Sequence, residues 1–108
     1  MRWENATAAM LLKHAQYEQD VLGRQTTVHY LRTKDGAEVD FVLCNDNTPT
    51  HLIECKYADN KLSPALIKFA SQFSEAEAVQ LVRELRQEEY RCKISIARGA
   101  EWLAALSA

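Results

Sequence analysis

At 108 residues, with 47% hydrophobic and 26% charged content, the chain has the balance of one ordinary globular domain and not of a disordered tail. No apolar run approaches the ~20 residues needed to cross a bilayer, and charges break every apolar stretch near Met1, so a cytoplasmic protein without membrane contact is expected. A net charge of −2 excludes a chain that grips duplex nucleic acid by overall basicity; any such contact must come from a local patch or a partner.

In chain order, residues 3–19 are a predicted helix, with Trp3, Met10, Leu11 and His14 at helical spacing, several alanines, and Gly23 shortly after the end. Residues 26–32 and 37–44 are rich in β-branched and aromatic side chains, and Asp35-Gly36 between them is a hairpin signal. Residues 45–50 read as a polar loop containing Pro49, and 51–57 as a third strand. After a loop at 59–63, Pro64 suits the first position of a helix to residue 73, with Leu66, Phe69, Ala70 and Phe73 as its buried stripe. Residues 75–90 favour helix on propensity, although 78–82 would also serve as a strand. Residues 93–97 form a short strand and 100–106 a closing helix. Three strands, a helix, one or two further strands and a last helix imply an α/β domain with a mixed sheet flanked by helices. No repeat or Pro/Gly-rich linker divides the chain.

The 3 cysteines, Cys44, Cys55 and Cys92, are odd in number and show no Cys-x-x-Cys spacing, which points to reduced thiols and not to disulfides or zinc. His14, His29 and His51 lack metal-ligand spacing, and Trp3, Tyr30, Phe41, Phe69, Phe73 and Trp102 read as core aromatics.

Chemistry concentrates in two strands. Asp40 sits among apolar neighbours in the second, and Glu54 and Lys56 bracket Cys55 in the third. Strand side chains alternate faces, so Glu54 and Lys56 share one, and a suitable register puts Asp40 beside Glu54. A carboxylate in a sheet interior is costly unless a cation or hydrogen bonds compensate. Asp40 and Glu54 are therefore candidate ligands for Mg2+ or Mn2+, with the Cys55 backbone carbonyl as a further oxygen and Lys56 as the cation facing the phosphate. The plainer alternative for Glu54 and Lys56 is a surface ion pair. Arg32, Lys34, Lys61 and Lys68 are candidate phosphate contacts, against a default of solvated surface charge.

Asp40 followed by Glu54-x-Lys56 resembles the PD-(D/E)xK nuclease superfamily. The runs YLRTKDGAEVDFVL, LIECKYAD and PALIKFASQF look like the uncharacterised C-terminal domain that follows an AAA-type ATPase module in many bacterial and archaeal proteins. The superfamily's proline before the Asp is Val39 here, and no ATPase module lies within this stretch. The resemblance implies a restriction-endonuclease-like core of order α-β-β-β-α-β with an additional C-terminal β-α, and makes 78–82 a strand. It also implies Glu4 of the Glu4-Asn5 pair as an extra metal ligand and Gln72 as an accessory polar residue, where a helix-start carboxylate and a solvated helix residue are the plainer readings. The function it implies is Mg2+-dependent hydrolysis of DNA, with a homodimer as the form in which many nucleases of this fold cut; the competing expectation is an inactive nuclease-fold module that docks to or regulates an AAA-type ATPase, or binds nucleic acid.

Overall fold

The computed structural model describes residues 3–32, 34, 36, 38–58 and 61–106. Its elements in order are α1 (Trp3–Leu22), β1 (Thr26–Arg32), β2 (Glu38–Asn45), β3 (Thr48–Lys56), α2 (Pro64–Gln72), β4 (Glu77–Val82), β5 (Glu89–Arg91), β6 (Ile94–Arg98) and α3 (Gly99–Leu106). The strands make one mixed 6-stranded sheet in the order β1-β2-β3-β4-β6-β5. Strand β2 is antiparallel to both β1 and β3, β3, β4 and β6 run parallel, and β5 closes the far edge antiparallel to β6.

Both faces of this sheet are covered. Leu11, Phe41, Leu43, Ile53, Val79 and Leu103 form a core beneath α1 and α3. Val42, Leu52, Leu66, Phe69, Ala78 and Ile94 form the other beneath α2. Burial on both sides explains why 77–82 is a strand despite its helix propensity. Ala78 to Val82 are buried in succession, which a one-faced helix at the surface would not allow.

Several sequence expectations change. Loop 45–50 shrinks to a turn at Asp46 and Asn47, both left-handed (φ 52° and 66°), the conformation a tight hairpin demands and short polar side chains tolerate. Pro49 therefore lies inside β3, where the register with β2 shifts and a missing ladder donor is tolerated. A second such turn at Cys92 and Lys93 (φ 53° and 64°) creates β5, which propensity had hidden in a helix, and takes Lys93 out of β6. Tyr30 is not a core aromatic: it is 79% exposed on the edge strand, its ring 5.9 Å from that of Phe41. In the first hairpin Asp35 and Ala37 lie outside the described residues, as does Asp59 of the 59–63 loop.

The start of α1 is tied to the end of the chain by Trp3. Its indole N–H donates to the Leu81 carbonyl (3.3 Å), and its ring lies so close over Gly99 that a Cβ there would stand 2.0 Å from a ring carbon. Gly99→Ala is expected to lower stability by about 1–3 kcal/mol, the usual cost of overpacking, read as a fall in Tm of several degrees. Unchanged melting would show that Trp3 is not held there.

Candidate functional site

Beyond the shift at Pro49, the pairing of β2 with β3 keeps its register to Phe41 opposite Ile53. One step further, side chains take over from backbone. The Asp40 N–H donates to Oε1 of Glu54 (3.1 Å), and the Cys55 N–H donates to Oδ2 of Asp40 (2.9 Å). A bulge prepares this exchange. His29 pairs with Val42 but Leu31 pairs with Val39, so β2 carries one extra residue at Asp40–Phe41 opposite Tyr30. Bulges bend a strand and re-aim a side chain; here Asp40 turns toward β3.

Glu54 is buried, 8% exposed, and lies on the α2 side of the sheet with Leu52. Burial first, then the hydrogen bond and negative charge of Asp40, push its carboxyl up to about 7, against the Ser63 hydroxyl and the Asp40 N–H, which favour the carboxylate. Ser63 is also the cap of α2: its Oγ accepts the Leu66 N–H at 3.3 Å. Gln80, fully buried and directly beside Glu54 on β4, anchors that segment. Its Oε1 accepts the Ser63 N–H and its Nε2 donates to the Lys61 carbonyl, both at 3.0 Å. On the opposite face, burial raises the Cys55 thiol to about 12, with the nearby Thr7 hydroxyl working the other way, so Cys55 offers no thiolate at neutral pH.

Of the residues singled out from sequence, Asp40 and Glu54 meet. Lys56, half-buried, shares the Glu54 face by alternation and makes no ion pair among the described residues. The Cys55 amide faces β2, and in an extended strand its carbonyl points to the same neighbour. Glu4 is exposed in the first turn of α1; its charge reaches the Cys55 thiol, but it is not gathered into a three-carboxylate cluster. Among the described residues no group of three or more His, Cys, Asp or Glu is placed to hold a metal. Gln72 is exposed at the last residue of α2, the end opposite Ser63, so the buried glutamine beside Glu54 is Gln80 instead. Its signal in the sequence is a lone amide inside the apolar run Ala78-Val79-Gln80-Leu81-Val82.

Strands β1, β3, β4 and β6 run the same way and end at one edge, which Arg32, Lys56, Arg83 and Arg98 border. Arg32 is paired with Glu38 (2.9 Å). Lys34 is exposed between β1 and β2, Lys61 is exposed before Ser63, and Lys68 is exposed on α2 with its ammonium 5.8 Å from the Phe69 ring centre.

Two outcomes follow from this network. Because Glu54 holds its proton more tightly folded than unfolded, its contribution to stability is complete below about pH 4.5 and is lost as pH rises through about 7. A loss on the order of 3 kcal/mol across that window is expected, and Glu54→Gln should flatten the pH profile in denaturant titrations. Gln80→Leu should cost about 1–3 kcal/mol by leaving the Ser63 N–H and Lys61 carbonyl unpaired; wild-type stability would show that water replaces the amide.

Comparison with curated proteins and with solved structures gives no match. The family model described as "Domain of unknown function (DUF4143)" matches residues 1–99, nearly the whole chain including every element that carries the site. The chain belongs to the DUF4143 family.

Proposed function

We propose that this chain is a restriction-endonuclease-like domain of PD-(D/E)xK type that hydrolyses phosphodiester bonds of DNA with Mg2+ or Mn2+. The observation that carries this reading is the reciprocal bonding of Asp40 and Glu54 across the splayed end of β2 and β3, with Lys56 next on the same face. The order α1-β1-β2-β3-α2-β4 agrees with it. The donor set suits a hard divalent cation. It is oxygen only: each carboxylate has one oxygen held by a backbone N–H, and an extended strand turns the Cys55 carbonyl to the same side as its N–H.

Asp40 and Glu54 would hold the metal, which would supply polarisation of the phosphate and a lowered pKa of the attacking water. The Lys56 ammonium stabilises charge that develops on the phosphate, in a setting where Ser63 and Gln80 keep Glu54 from turning away. A second reading, an inactive module that docks to an AAA-type ATPase, is favoured by one observation: Glu4, the expected third carboxylate, is not clustered with the other two.

Incubation with plasmid and linear DNA separates them. Metal-dependent cleavage is expected, abolished by Asp40→Asn or Glu54→Gln and slowed by about 100-fold or more in Lys56→Ala. Cleavage at an unchanged rate in Lys56→Ala would refute its role. No cleavage together with no calorimetric Mn2+ binding would favour the docking module.

A further inference from the structure

We infer that Arg83, held by Tyr57, is a binding site for a backbone phosphate of the nucleic-acid strand that flanks the reacting bond, with Tyr57 facing its neighbouring base. The inference rests on the phosphodiester reading above.

The pairing of β3 with β4 continues past its last ladder pair. The Arg83 N–H donates to the Lys56 carbonyl (3.0 Å) and the Glu84 N–H to the Tyr57 carbonyl (2.8 Å), which fixes the Arg83 backbone next to that of the proposed catalytic lysine. Tyr57 lies three residues beyond Glu54, roughly 10 Å along an extended strand. An exposed arginine normally samples many rotamers. This one is held. Its guanidinium carbon lies 5.2 Å from the centre of the Tyr57 ring, and its Nη1 donates to the Tyr57 hydroxyl (2.9 Å) and reaches Glu84 Oε1 (3.4 Å). The Tyr57 hydroxyl in turn donates to that same Glu84 oxygen (3.1 Å).

Both hydrogen bonds of the guanidinium use Nη1. The Nε and Nη2 groups of Arg83 make no hydrogen bond among the described residues, and the side chain is 51% exposed. A pinned guanidinium with a free pair of donors is the geometry that takes a phosphate bidentately, at lower entropic cost than a mobile side chain. Arg98 spends Nε and Nη2 on the Leu85 and Arg86 carbonyls, where it shapes the loop before β5. Arg32, like Arg83, holds one acidic partner, through Nε to Glu38, but has no aromatic ring against it among the described residues. Tyr57 keeps more than half its surface open (57%), enough for an unpaired base to stack on.

The test is binding of a fluorescein-labelled single-stranded deoxyoligonucleotide, by anisotropy in Ca2+ between about 50 and 200 mM salt, alongside calorimetric Mn2+ binding and melting of each variant. Arg83→Gln should weaken binding about 10-fold and reduce the slope of log K against log salt by about 0.7, the signature of one lost phosphate contact. Arg83→Lys should restore the slope, and Tyr57→Phe should weaken binding at unchanged slope, since the charge stays while its anchor goes. Mn2+ binding and melting should match wild type throughout. Wild-type affinity and slope in Arg83→Gln would overturn the inference, as would absence of oligonucleotide binding by the wild type, or loss of binding only in step with lost melting temperature. Failure of the wild type to bind Mn2+, with the Arg83 effects intact, would instead count against the phosphodiester reading alone.

Discussion

Two carboxylates stand where a β-ladder would otherwise continue, and much of the molecule is arranged around that substitution. Leaving the Asp40 and Cys55 amides without partners would cost about as much as losing hydrogen bonds outright. The side chains of Glu54 and Asp40 accept them instead, so the sheet remains satisfied while the strands part. The same exchange puts two acidic groups side by side in partial burial. Burial first, and then the hydrogen bond and negative charge of Asp40, hold the Glu54 carboxyl well above the range of an ordinary glutamate.

The surroundings read as compensation for that cost. Ser63 caps α2 and turns its hydroxyl to Glu54, so helix and carboxylate are stabilised by one atom. Gln80 is a fully buried amide in the most apolar strand, an expensive placement unless both ends are bonded, and both are. Trp3 and Thr7 serve the opposite face, where α1 lies over Cys55 and Leu81. A polar centre in a sheet this small is tolerated because a separate apolar core on each face supplies the burial.

Direction of the strands does the rest. Because β1, β3, β4 and β6 point the same way, cations that follow them collect along one edge although the whole chain is slightly acidic. Exposure alone does not distinguish them. Arg98 is used within the fold and Arg32 pairs with Glu38 at the surface, whereas Arg83 is braced against the Tyr57 ring with Nε and Nη2 unbonded among the described residues.

Local rules sufficed for much of this. Alternation put Glu54 and Lys56 on one face, Pro64 marked the start of α2, and the apolar patterns of the first three strands specified a sheet with helices against it. These depend only on neighbours in the chain. Residues 78–82 are the strand that the resemblance implied and not the helix that propensity favours over 75–90, because burial on two faces outweighs a few tenths of a kcal/mol per residue of intrinsic preference. The shortness of the turn at Asp46 and Asn47, and so the place of Pro49 in β3, was decided by pairing with β2. Tertiary structure alone decided that Gln80 and not Gln72 stands beside Glu54, that Glu4 stays out of the carboxylate pair, and that Tyr57 meets Arg83. Each of these depends on which strands become neighbours and in what register, and no short stretch of sequence carries that information.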